Sequence, residues 1–192
     1  GGGRKMLERG RSGLPVDSSI PGESESVVSE LNRILGKKIE GIFQEANLDF
    51  KVWCSRSNHD YGHFATIEIN FTKQVSAHEI IEAWQIFSSE VVDSRLPSSS
   101  NVIDFIDGVL DPIEHRWGNS VSESPDKNLS AGMSVSVAEI EVSDNKLKFK
   151  LLSDNTIRGA AGYGVLLAEL LIADGIIQES NYLLNSDFNQ SN

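Results

Sequence analysis

The sequence predicts an α+β domain: a mixed or antiparallel sheet with helices on one face. Three observations lead there. Segments with apolar residues at helical spacing are interleaved with segments in which apolar and polar residues alternate. The order is roughly helix, two strands, helix, strand hairpin, helix, and no internal repeat breaks it. A chain of 192 residues has room for one well-cored domain, and one is expected.

From Glu23 to Leu35, Val27, Val28, Leu31, Ile34 and Leu35 recur at helical period, and Gly36 stops the pattern. Phe50, Val52 and Cys54 alternate with polar neighbours, as do Ala65, Ile67, Ile69 and Phe71; both segments read as strands with one buried face. Ser76-Ala77-His78-Glu79 has capping-box spacing, so a second helix carrying Ile80, Ile81, Trp84 and Phe87 is expected to run to about Ser88 or Ser89. Between Val91 and Ser130 the chain is rich in Ser, Pro, Asp and Asn, with short apolar patches such as Val102 to Ile106, which predicts long excursions with brief strands.

Met133, Val135 and Val137 then alternate on one phase and Ile140 and Val142 on the other, which predicts a long strand with a bulge near Ala138 and Glu139. Asp144-Asn145 supplies a hairpin turn, and Leu147, Phe149 and Leu151 form the returning strand. "SDNTIRGAAGYG" leads into "VLLAELLIA", a helix ending at Asp174-Gly175. Being apolar nearly all round, it is expected to be buried against a sheet or a partner chain.

Lys+Arg of 17 against Asp+Glu of 28 gives a formal charge of -11. A phosphate backbone is repelled by such a chain unless basic residues cluster, and none do, so nucleic acid is not an expected partner. One cysteine cannot form an internal disulfide. No apolar run is long enough for a bilayer, and the start lacks the apolar stretch of a secretory signal. The expectation is a soluble protein of a reducing compartment, cytoplasmic, or plastid in a plant-like host, with no membrane partner. "GGGRKMLERGRSG" opens without methionine, as a piece of something longer or an expression scar does, and the polar end, 181–192, is expected to fray.

The candidate chemistry gathers in "CSRSNHDYGH". A Cys/His hydrolase requires a base beside the thiolate. Cys54, however, falls on the apolar phase with Phe50 and Val52, where a free cysteine acts as a small hydrophobe. Cys54, His59, His63 and His78 show no metal-ligand spacing. Arg56 and His63 would face opposite sides of a continuous strand, but the turn-rich "SNHDYG" lets the chain fold back and present both to one pocket. A guanidinium there can grip a carboxylate in a bidentate fork, and an imidazole can exchange protons near neutral pH; the competing reading is a solvated turn. "SDNTIRGAAGYG" lacks the dinucleotide fingerprint; its small residues fit either close helix packing or close approach of a ligand.

Four stretches together resemble the C-terminal domain of the aspartate-semialdehyde dehydrogenases. "GGGRKMLE" is similar to the segment that follows the cofactor domain, and "IPGESESVVSELNRILG" to the family's acidic helix. "CSRSNHDYGH" lies along its Cys-x-Arg-(x6)-Gly-His segment without a gap, and "LLSDNTIRGAAGYGVLLAELL" matches its last helix. The resemblance implies a fold like the C-terminal domain of glyceraldehyde-3-phosphate-dehydrogenase-like enzymes. It also implies a homodimer and NADP, bound mostly by a preceding domain that carries the nucleophilic cysteine. On this reading residues 1–22 are a remnant linking to that domain and 23–180 form the dimerisation domain.

The implied reaction is the NADPH-dependent conversion of L-aspartyl 4-phosphate to L-aspartate 4-semialdehyde, through a cysteine thioester, in lysine, threonine and methionine biosynthesis. By the same resemblance Arg56 binds the substrate carboxylate, His63 is the acid/base group, Glu23 meets the substrate amino group and Asn155 lies near the nicotinamide. Cys54 sits elsewhere in the family pattern and is not the nucleophile. Some positions depart from that pattern. Ser26 stands where a phosphate-binding lysine is expected, Phe64-Ala65 replaces a polar pair, the proline after the arginine is missing, and Val137-Ala138-Glu139 stands for Val-Gly-Arg. The departures leave a second reading, a non-catalytic paralogue serving as a dimerisation or interaction module.

Overall fold

The computed structural model describes residues 22–54, 62–118 and 123–177. The chain divides into two compact units, one ending at Asp60 and the other beginning at Tyr61.

In the first unit, helix α1 (Glu23–Ile34) starts after Gly22 and carries Glu23 and Glu25 in its first turn, where the helix dipole favours negative charge. A short antiparallel hairpin follows, β1 (Lys37–Ile39) and β2 (Ile42–Gln44), which the alternation pattern does not reveal. The strand expected at Phe50 to Cys54 is not formed. Phe50, Val52 and Cys54 are half-buried and Lys51 and Trp53 exposed, but the segment pairs with no strand among the described residues. Side chains of α1 hold the chain around it instead. Asn32 Oδ1 accepts the Leu48 N–H at 2.6 Å, Asn32 Nδ2 donates to the Leu48 carbonyl at 3.2 Å, and Ser24 Oγ accepts the Cys54 N–H at 3.0 Å. Alternation reports a half-buried face, and a helix can supply what that face covers as well as a sheet can.

The second unit is built on a four-stranded sheet in the order β3-β6-β5-β4. These strands are β3 (His63–Asn70), β4 (Ile103–Phe105), β5 (Val135–Ser143) and β6 (Lys146–Ser153). β6 pairs antiparallel with β3 and β5, while β4 joins β5 in parallel, so the sheet is mixed, as expected. The bulge falls between Ala138 and Glu141, with Glu139 at φ 53°, and Asp144 turns the β5–β6 hairpin at φ 55°.

Helix α2 (Ala77–Val91) begins with the reciprocal capping box of Ser76 and Glu79 and runs slightly past the expected end. Its Ile80 and Trp84 pack on Val137, Leu147 and Phe149, and the Trp84 and Phe149 rings meet edge-on at 5.0 Å. Buried Ser88 pins its last turn to β4: Oγ accepts the Ile103 N–H at 3.0 Å and donates to the Ile103 carbonyl at 3.1 Å. Ile106, Leu110, Ala138 and Leu152 form a separate core cluster, against which Phe64 packs.

After β6 a π-turn (Ile157–Ala161) runs directly into α3 (Gly162–Ala173). Gly162 and Gly164, expected in the lead-in, belong to the helix. Of the two covers expected of α3, the sheet does not bury it within the described residues: Val165, Leu167 and Ile172 are 45%, 45% and 57% exposed. Polar ties hold it in place. Ser98 donates its N–H and Oγ–H to Glu169, each at 2.9 Å, and Arg95 spans Asp93 and Asp174. Among the described residues no helix is long and apolar enough to cross a membrane.

Leu147 is 1% exposed at the centre of the face that α2 covers. Leu147→Ala is expected to destabilise the chain by about 2–5 kcal/mol, read as a lower urea midpoint with an unchanged slope.

Candidate functional site

Strand register decides what shares the end of the sheet. His63, the first residue of β3, pairs with Ser153, the last of β6, and Asn155 follows two residues later. Two of the residues singled out from the sequence, far apart along the chain, therefore lie at one end of the sheet. His63 is exposed there and Asn155 half-buried. Gly62, just before His63, sits at φ 78°, and a Cβ added there would collide with the Leu152 side chain. The entry to β3 thus requires glycine on both conformational and steric grounds.

The corner that carries Asn155 is organised by Asp154, which is 1% exposed. Its Oδ2 accepts Arg116 Nε–H at 2.7 Å. Its Oδ1 accepts the Thr156 N–H at 2.8 Å, the Thr156 hydroxyl at 2.6 Å and the Ile157 N–H at 2.9 Å. The Asp154 carbonyl accepts the Gly159 N–H at 3.2 Å. Burial pushes this carboxyl up, but the hydrogen bonds from Thr156, Arg116 and the Ile157 amide outweigh it and hold the group below the usual aspartate range. Arg116 reaches in from the segment before β5, its guanidinium 4.0 Å from the Trp117 ring centroid.

The small residues of "SDNTIRGAAGYG" differ in what surrounds them. At Gly162 an added Cβ would stand 2.7 Å from Ile157 Cγ2 and 2.8 Å from Met133 Sδ, so this glycine serves close packing. Gly164 faces open space, and a Cβ at Gly159 would meet the Asp154 carbonyl oxygen at 3.8 Å, an ordinary contact.

Glu23 is exposed at the start of α1 in the first unit, and Arg56 lies outside the described residues. Cys54 is half-buried. A depression of about 380 Å³ in the first unit, lined by Leu35, Lys37, Ile39, Gln44, Ala46 and Leu48, involves none of the residues predicted to form a site.

No family model matches the chain. Malonyl CoA reductase (NADP) of Metallosphaera sedula is 27% identical over 175 residues, covering 85% of this chain and 46% of that protein. Aspartate-semialdehyde dehydrogenase of Archaeoglobus fulgidus is 30% identical over 176 residues, covering 88% and 48%. The crystal structure of aspartate-semialdehyde dehydrogenase with NADP from Candida albicans superimposes with a TM-score of 0.62 at 26% identity, over 84% of this chain and 45% of that one. The chain belongs to the aspartate-semialdehyde dehydrogenase family. It spans about half the length of the curated relatives it matches. The mixed sheet with its helices is the α+β fold expected, of the glyceraldehyde-3-phosphate-dehydrogenase-like kind.

The carboxamide of Asn155 offers both a donor and an acceptor at this end of the sheet. Sequence reasoning named Asn155 but missed Asp154 and Arg116. Asp154 had a local signal, an Asp placed to cap the amides two and three residues on. Arg116 had none, because its partner is distant in sequence.

Asp154 also sets an acid limit on stability. Its folded pKa is lowered, so its contribution is present above the unfolded aspartate pKa of about 3.9 and is lost as pH falls through the lower folded value. Urea unfolding at a series of pH values should show a wild-type chain that weakens below about pH 4. Asp154→Asn should be less stable at neutral pH and lose less on acidification.

Proposed function

We propose that this chain is the C-terminal dimerisation and substrate-binding domain of an aspartate-semialdehyde dehydrogenase, and that by itself it does not turn over. The reaction proposed for the whole protein is the NADPH-dependent reductive dephosphorylation of L-aspartyl 4-phosphate to L-aspartate 4-semialdehyde, in amino-acid biosynthesis. The observation that carries the reading is the pairing of His63 with Ser153, which gives a proton-transfer group and the Asn155 corner a common end of the sheet. The relatives and the NADP-bound Candida albicans enzyme support it.

In this reading Arg56 holds the substrate carboxylate in a bidentate fork, and Glu23 meets the substrate amino group from the first turn of α1. His63 holds and moves the proton at the reacting end. Asn155 orients the nicotinamide carboxamide; NADPH, when bound, supplies the hydride. Homodimerisation would cover the apolar surface that α3 leaves exposed.

A second reading, a non-catalytic paralogue serving as a dimerisation or interaction module, is favoured by where the departures lie. Phe64 packs on the Ile106, Leu110, Ala138 and Leu152 cluster, and Glu139 pairs with Lys150 at 2.5 Å, so both have structural employment.

The readings separate in the full-length protein. Arg56→Leu is expected to weaken substrate binding by about 1.5–3 kcal/mol, and His63→Ala to lower turnover by about 10²–10⁴ with little effect on binding. Turnover unchanged in His63→Ala removes it as the acid/base group, and a wild-type protein without turnover favours the paralogue. Sedimentation of this chain at micromolar concentration is expected to give a dimer mass, and a clean monomer counts against the dimerisation role.

A further inference from the structure

Among the described residues, an ion pair built on a buried carboxylate has no part in the chemistry proposed above: half-buried Arg116 and buried Asp154. A buried ion pair can serve packing alone. The bonding here is directional, however. One carboxylate oxygen takes Arg116, and the other takes three donors, the Thr156 amide and hydroxyl and the Ile157 amide, at the start of the turn. Asn155 lies between Asp154 and Thr156, so its backbone is fixed on both sides by the same carboxylate. Ser153, on the other side of Asp154, is locked in register opposite His63. A shift of the Asp154 carboxylate would therefore displace Asn155 relative to the sheet while leaving the sheet itself in place.

We propose that Arg116, acting through Asp154, is a positioning residue: it fixes the turn that carries Asn155 against the His63 end of the sheet. The inference rests on the reading of Asn155 as the nicotinamide neighbour. Arg116 comes from the segment before β5 and Asp154 from the end of β6, so the pair ties the corner to a part of the chain that the β-ladder does not fix. The guanidinium, laid over Trp117, approaches from a set direction. Lysine keeps the charge there but not the planar Nε–H.

The test compares Arg116→Met and Arg116→Lys with wild type in the full-length protein. Hydrogen exchange by mass spectrometry is read on the same samples and on this chain. In Arg116→Met the peptide spanning Asp154 to Ala161 is expected to exchange about tenfold faster, while the peptide spanning Leu147 to Leu152 keeps the wild-type rate. KM for NADP is expected to rise about tenfold, and KM for aspartate semialdehyde to stay within about twofold, because a small misplacement of a contact group is costly only where it acts. Arg116→Lys is expected to fall between the two. Should Arg116→Met not fold, Thr156→Val, which removes one donor from Asp154 at an exposed residue, carries the same test with an expected change of about threefold.

Unchanged exchange across Asp154 to Ala161 in the folded variants overturns the inference. Equal acceleration in both peptides also overturns it, because it marks a general stability role. Faster exchange confined to the turn, with KM for NADP unchanged, keeps the tie between Arg116 and the turn but overturns the assignment of Asn155 on which its functional meaning rests.

Discussion

β6 lies between β3 and β5 and is hydrogen-bonded along both edges, so it fixes the register of most of the second unit. Its alternation sets the two faces. Leu147 and Phe149 join the cluster that α2 covers, while Leu152, on the other face of the strand, reaches the cluster with Ala138, Ile106 and Leu110. A one-residue slip would exchange these faces and bury Lys148 and Lys150, so burial itself enforces the register. Register then has a chemical consequence. It places His63 opposite Ser153, and the chain leaving β6 must turn within a few residues of that imidazole.

The turn is where polar and apolar physics meet. A carboxylate as buried as Asp154 is tolerable only because donors surround it, and three of those donors belong to the turn it organises. Gly162 allows the start of α3 to lie against Ile157 and Met133, while Gly164 faces open space. One short motif therefore satisfies a packing demand at Gly162 and leaves open space at Gly164. The exposed apolar residues of α3 belong to a different problem, because the polar ties at Ser98 and Arg95 hold the helix in place without covering it.

Family membership and activity are separate matters here. Relatives of comparable likeness are named for two different reactions, a malonyl CoA reductase and an aspartate-semialdehyde dehydrogenase. A shared scaffold does not choose between substrates; the side chains at the site do. At Glu139 the backbone adopts a positive φ at the bulge. The Lys150 ammonium holds its carboxyl below the usual range, so a position that departs from the family pattern is here part of the sheet's own charge pairing.

Local pattern by itself determined the helices α1 and α2, the β5–β6 hairpin with its bulge, the capping box at Ser76 and the α+β class, because these depend on residues close in sequence. It also marked His63 as a chemistry-bearing residue, whereas Asn155 was named only by the family resemblance. It read the segment from Phe50 to Cys54 as a strand because alternation shows a half-buried face but not what covers it, and in the fold α1 side chains hold the flanking backbone. Only the tertiary structure decided that His63 and Asn155 share one end of the sheet, and that Arg116 closes the Asp154 corner. Those facts depend on strand register and on a long-range ion pair, and neither leaves a periodic trace in the sequence.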